Sequence, residues 1–266
     1  AVITRSDHAK SLVPGLHALF GMEYGRYDNM HERVFDKNSS ERAFEEEVLL
    51  VGFGAAPTKA EGASVTFDSA RESYTSRYTM ESIVLAYSLT EEAMEDNLYE
   101  QMGARYTKAL ARSMAHTKQV KAMNVFNNAF SSSFKGGDGV SLSNASHPLA
   151  SGTTASNPPA TQVDLSETAL ENAVIAIHNF TDDRDLPIAV NPRMLLIPIE
   201  NQFVAERILK SDLRSSTADN DLNAIKSTGM FPDGYEFSPH ISDTDSWHVL
   251  TDAPDGLKYF ERTAMQ

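Results

Sequence analysis

The sequence predicts an α+β fold in which a projecting two-stranded ribbon runs into an unusually long helix, followed by short helices and short strands. Three observations carry this. Residues 52–79, GFGAAPTKAEGASVTFDSARESYTSRYT, place a Gly/Ala/Pro tip before a limb of alternating residues. Residues 90–130 read as one continuous helix, and the chain after residue 190 breaks into brief apolar runs separated by turn residues. A two-stranded ribbon is marginal alone in water and needs another surface to lie on. The pattern suits a protein that holds its neighbours better than one that encloses a substrate.

Taken in order, residues 1–42 are mixed and weakly periodic. Pro14-Gly15 reads as a turn, and Leu16, Leu19 and Phe20 fall on one short helical face, so this segment is expected to be an arm that docks elsewhere. Residues 43–89 form the ribbon. Phe44, Val48, Leu49, Leu50, Val51 and Phe53 make its first limb, Gly54, Pro57, Lys59 and Gly62 its tip, and Tyr74, Tyr78 and Met80 its return. Ile83, Leu85, Tyr87 and Leu89 continue on the opposite parity. The apolar face therefore switches near Glu81-Ser82, through a bulge or through passage from the ribbon into the body.

Thr90 is the expected N-cap of the long helix, with Glu91 and Glu92 in its first turn. Run to Phe130, this helix is roughly 60 Å long. Acids come early and bases late (Arg105, Lys108, Arg112, Lys118, Lys121), the order a helix dipole favours. Met94, Leu98, Met102, Tyr106, Leu110 and Met114 recur every fourth residue and are expected to be its buried stripe. That stripe winds by about 40° per step, so the helix should meet different elements along its length.

Residues 135–162 are turn-rich and read as a surface loop. A helix capped by Ser166 or Asp164 follows, with Leu170, Ala173, Val174, Ile177 and Phe180 on one face. Arg193–Ile199 reads as a buried strand, Glu200–Lys210 as a helix, and the stretch near Leu222 and Ile225 as a shorter one. Tyr235–Phe237, Trp247–Leu250 and Leu257–Phe260 read as strands, with a Pro254-Asp255-Gly256 turn before the last.

The chemistry-bearing patterns are weak. The chain has no cysteine, which excludes disulfides, thiolate metal sites and cysteine nucleophiles. His31-Glu32 opens like H-E-x-x-H, but Phe35 takes the second histidine position. Gly136-Gly137-Asp138-Gly139 lacks the lysine of a phosphate loop, and the acidic runs Asp182–Asp185 and Asp243–Asp245 lack an EF-hand continuation. Ser132–Lys135 fits S-x-x-K with no accompanying K-T-G, and Ser64 lacks the second glycine of a nucleophile elbow. No catalytic, cofactor-binding or metal site is expected. The net charge of −14 argues against a nucleic-acid reader, whose affinity rests on Lys and Arg. Apolar runs such as Ile83–Tyr87 are too short to span a bilayer, so no membrane partner is expected and the chain reads as soluble and intracellular at synthesis.

The segments GFGAAPTKAEG (52–62), TEEAMEDNLY (90–99), GGDGV (136–140) with His147-Pro148, LSETAL (165–170), AERILKS (205–211), GMFPDGY (229–235) and DAPDGLKYFER (252–262) together resemble the major capsid proteins of tailed bacteriophages. The similarity covers nearly the whole chain in order. The resemblance implies the capsid fold shared with herpesvirus floors and encapsulins. Residues 1–42 would be the N-terminal arm, 43–82 the extended loop, 83–165 the peripheral domain with its spine helix at 90–130, 166–247 the axial domain, and 248–266 a return strand toward the peripheral domain. Relatives continue past the segment matching Glu261-Arg262 with a further segment that completes the peripheral domain, whereas this chain stops at Gln266, so the expectation is either a truncated sequence or a missing late strand.

The resemblance makes the extended loop the expected contact between subunits, with Gly54, Pro57, Lys59, Glu61, Arg71, Glu72 and Arg77 as candidates. Some relatives crosslink an extended-loop lysine to a neighbour's asparagine. Lys59 stands at the tip, but no motif here carries that chemistry over, and it reads as a solvated or ion-pairing lysine. The implied partners are other copies of the chain in pentamers and hexamers, enclosed double-stranded DNA bound without sequence preference, and scaffold, portal or decoration proteins. The implied place is the virion capsid, assembled in the host cytoplasm. Two rivals remain at this point: an encapsulin-like compartment, separated by cargo protein in place of nucleic acid, and an acidic cytosolic hydrolase, separated by turnover that one serine or histidine substitution abolishes.

Overall fold

The computed structural model describes residues 9–88, 99–214 and 221–263. Helix α1 (Ala9–Tyr24) and the short α2 (Met30–Val34) lead into β1 (Asp36–Ser39). The ribbon follows as β2 (Phe44–Val51) and β3 (Arg71–Thr79), and then the long helix α3 (Tyr99–Asn127). After a loop with a two-residue hairpin, β4 (His147–Pro148) and β5 (Thr154–Ala155), come α4 (Glu167–His178), β6 (Pro192–Pro198), α5 (Gln202–Lys210), α6 (Ala224–Thr228), β7 (Tyr235–Ser238), β8 (His248–Thr251) and β9 (Lys258–Glu261).

Strand β6 organises the second half. It pairs in parallel with β7 and antiparallel with β8. Because side chains alternate along a strand, Leu195 and Ile197 enter one core with Leu165, Leu170, Val174, Ala205, Ile208, Ile225 and Phe231. Met194 and Leu196 enter a second core with Val34, Phe35, Met123, Phe126 and Ile241. A strand covered on both faces reads as a continuous apolar run, which is why it is visible in the sequence. Local capping fixes the helices around it. The Ser166 hydroxyl accepts from the Ala169 N–H, and Asn223 accepts from the Lys226 N–H while donating to the Ile208 and Ser211 carbonyls. Gly229 ends α6 at φ 64, a conformation glycine adopts without strain.

Several expectations change. The backbone is helical through Pro14-Gly15, where a turn was predicted. The described part of residues 1–42 docks on its own chain: Phe20 packs against Ala111 and Met114, and β1 pairs in parallel with β9. The ribbon's irregularity lies in the first limb, between Val48 and Leu50, and residues 80–88 leave the ribbon without strand structure. Tyr87 then reaches the body, its hydroxyl 2.7 Å from the Thr107 hydroxyl.

The buried stripe of α3 is also displaced. Thr90, Glu91, Glu92, Met94 and Leu98 lie outside the described residues. Of the rest, Met102 and Tyr106 are exposed, Leu110 is half-buried, and only Met114 is buried. The buried face runs through Gly103, Thr107, Ala111, Ala115, Gln119 and Met123. Small residues let α1 approach closely, so the contact face is the less hydrophobic one. Strand β8 hydrogen-bonds β6, which joins residues 248–251 to this sheet. Among the described residues no helix is long and apolar enough to cross a membrane.

Candidate assembly interface

The ribbon is built from its base outward. Register sets Glu46 opposite Arg77 and Glu47 opposite Ser76. Arg77 bonds Glu46 at 2.7 Å through Nε and lies 4.5 Å over the Phe44 ring. At the base, Tyr78 packs on Phe260 with ring centroids 5.0 Å apart, and Lys258 bonds both Asp255 (2.6 Å) and Glu47 (2.7 Å). Those two hydrogen bonds push the Lys258 ammonium well above its usual range, so it stays charged. Burial, then Glu47, pushes the Tyr78 phenol up.

Farther along, the glycine loop at 136–139 presses on β3. A Cβ on Gly137 would collide with Ser76, coming within 3.1 Å of its Cα. Asp138 in that loop accepts from Val140 N–H and lies 2.6 Å from Nδ1 of His147, so the loop is a self-bonded turn and not a phosphate cradle. Near the tip, Asp68 accepts from the N–H groups of Gly54 and Ser69, each at 2.8 Å, and these bonds hold its carboxyl below the usual range. Arg184 donates to the Ser69 carbonyl at 2.9 Å. The Asp182–Asp185 run that carries Arg184 is another self-bonded turn, with Asp182 accepting from Arg184 and Leu186 N–H. Among the described residues no group of three or more His, Asp or Glu could hold a metal ion.

Of the seven residues singled out in the sequence, three are engaged within the chain. Gly54 bonds Asp68, Arg71 donates to the Ala150 carbonyl, and Arg77 clamps Glu46 and Phe44. Within the chain the two arginines fasten the ribbon to its own subunit. Pro57, Lys59, Glu61 and Glu72 stand exposed. The residues missed are apolar: Phe67 is 93% exposed and Val65, Phe53, Leu50 and Val84 are each more than half exposed. The alternation Val65-Thr66-Phe67 was the available signal. A ribbon bound at its base and bare along its outer apolar side chains lacks a covering surface, and such patches mark interaction sites.

The described residues thus combine a projecting ribbon, a long helix and a mixed sheet between two cores. The family model described as Phage capsid protein matches residues 73–265, and the chain belongs to that family. It is a phage major capsid subunit, a structural protein of the virion. No curated protein matches the chain. Three solved structures share its fold. The procapsid of bacteriophage JBD30 aligns with TM-score 0.57 and 13% identity over 86% of this chain and 99% of that one. The JBD30 capsid gives 0.55 and 12% over 78% and 89%. The JBD30 capsid decorated with minor capsid protein trimers gives 0.54 and 11% over 91% and 100%.

Proposed function

We propose that the chain forms the wall of a closed icosahedral shell around double-stranded DNA, with each ribbon lying on a neighbouring subunit. The observation that carries this is the bare apolar edge of the ribbon, Leu50, Phe53, Val65 and Phe67, on a subunit whose other strands are folded into its own body. In this reading Pro57, Lys59, Glu61 and Glu72 rim that contact. Residues 1–42 serve as arm, 43–82 as extended loop, 83–165 as peripheral domain, 166–247 as axial domain and 248–266 as a return strand toward the peripheral domain, with copies grouped in pentamers and hexamers. Assembly takes place in the host cytoplasm, with scaffold, portal or decoration proteins as further partners. The decorated JBD30 capsid supports an outer surface that accepts minor proteins.

The test is negative-stain electron microscopy of the purified chain, together with nuclease-protected nucleic acid in particles from infected cells. Closed shells of uniform size and protected DNA are expected. A chain that stays monomeric under all assembly conditions overturns the shell reading, and particles filled with cargo protein in place of DNA favour a compartment.

A further inference from the structure

The chain carries 37 acidic and 23 basic side chains, so a surface stretch of mostly positive charge is unexpected by composition. Helix α3 has one. Arg105, Lys108, Arg112 and His116 are all exposed. At 100° per residue they fall within an arc of about 80°, in a row of roughly 16 Å. Lys108, Arg112 and His116 line an open groove with Tyr27, Ala109 and Ser113. That lining holds no carboxylate and no large aliphatic side chain. The end of α1 adds Arg26, which shares the Glu23 carboxylate with Lys108 at 2.9 and 3.4 Å. Arg105 and Arg112 have no ion pair with any described residue.

The larger cleft, beside α2, α5 and α6, differs in kind. There Arg33 is bonded to Glu236 and Asp28, Lys226 to Asp212, and Lys210 to Glu206. Its cations are paired within the subunit, whereas in the α3 row Lys108 is paired, 3.4 Å from Glu23, and Arg105 and Arg112 have no ion pair among the described residues. A protein partner of ordinary kind would anchor through apolar or aromatic pockets, and the α3 groove offers Tyr27 alone. The cations Arg105, Lys108 and Arg112 in one row with little apolar floor fit a polyanion whose charges repeat along a line.

We propose that this row is the subunit's phosphate-binding track, the place where the wall touches the nucleic-acid backbone without reading its sequence. The proposal rests on the shell reading above and names the side chains that make the contact. Each phosphate neutralised releases counterions, so affinity falls with salt at a slope of about 0.9 per contact. The net negative charge elsewhere keeps the total affinity low, as a wall that must not trap a moving genome requires.

The experiment measures binding of the full-length chain to short DNA duplexes of two unrelated sequences over a series of salt concentrations. The parent should bind both equally, weakly at physiological salt and measurably below it. The double variant Arg105→Gln/Arg112→Gln should lose about 2 from the salt slope, with melting unchanged, while Lys135→Gln, off the row, keeps the parent's slope. Should the double variant fail to fold, Arg105→Gln is expected to lose about 1. An unchanged slope in these variants, no binding by the parent at low salt, discrimination between the two sequences, or tighter binding to polyglutamate than to duplex overturns the proposal. Electron microscopy of the same samples separates the two readings. Closed shells with an unchanged slope sink the track alone, and a parent that forms no shells sinks the shell.

Discussion

Two histidines are pressed between α3 and the strands around it. His31 is 2% exposed, edge-on to Tyr259 at 5.1 Å, with no hydrogen-bond partner for either ring nitrogen among the described residues. Burial, then the nearby Lys118 charge, lowers its pKa. His248 lies against Phe126 at 5.1 Å and Phe130 at 6.3 Å, and burial lowers it to about 4. Both rings are therefore neutral packing groups in the folded chain. Unfolded, each takes a proton near pH 6.5. As pH falls from there toward 4 the unfolded state binds more protons than the native one, so stability is lost across that window and the loss is complete below it. His248 alone should account for about 2 kcal/mol between pH 7 and pH 5. Urea denaturation of the unassembled chain should show this fall, and His248→Leu should reduce it markedly while changing the pH 7 value little. An equally steep fall in His248→Leu would place the sensitivity elsewhere.

At the level of elements, what was legible in the sequence was what local chemistry dictates. Ser166 and the spacing of Leu170, Val174 and Ile177 give α4, the unbroken apolar run gives β6, and the Pro254-Asp255-Gly256 turn gives the start of β9. The buried face of α3 was not legible, because Gly103, Thr107 and Gln119 are chosen for close approach and hydrogen bonding, and a hydrophobic count points one residue aside. Nor was the role of Arg71 and Arg77, whose partners Ala150 and Glu46 are settled by tertiary placement and strand register. The apolar edge of the ribbon shows how much folding leaves undone. Phe67, being 93% exposed, contributes almost nothing to the isolated subunit. Phe67→Asp should accordingly change its stability by no more than about 0.5 kcal/mol, yet abolish closed shells by stranding a charge in the contact. Deleting residues 54–64 should act likewise. Melting and electron microscopy read the two effects separately, and normal shells from Phe67→Asp would remove the ribbon edge from the interface.

At the scale of the whole molecule, the chain closes on itself through one carboxylate. Parallel pairing sets Ser39 against Glu261, joining segments from near the two ends of the sequence, a contact that no local pattern announces. Glu261 then bonds Lys37 of β1 at 2.5 Å and Lys118 of α3 at 3.0 Å, so first strand, last strand and long helix meet at one side chain. Burial pushes its carboxyl up, but the bonds from Lys37 and Lys118 outweigh that and hold it below the usual range. The two partners are not equal. Lys37 is half exposed, and its share is screened by solvent. Lys118 is only 17% exposed and would be left partly buried without a counter-charge. Most of the effect of Glu261→Gln should come from that second lysine, and a loss of about 2 kcal/mol is expected in urea denaturation at neutral pH. Since the folded carboxyl titrates below the unfolded one, this stability is present above the unfolded value and disappears as pH falls through the folded one, so parent and variant should converge in acid. The double variant Glu261→Gln/Lys118→Met should recover much of the loss, because it removes the stranded charge along with its partner. A Glu261→Gln variant as stable as the parent at neutral pH would show that the ends are held by the β1–β9 backbone ladder alone.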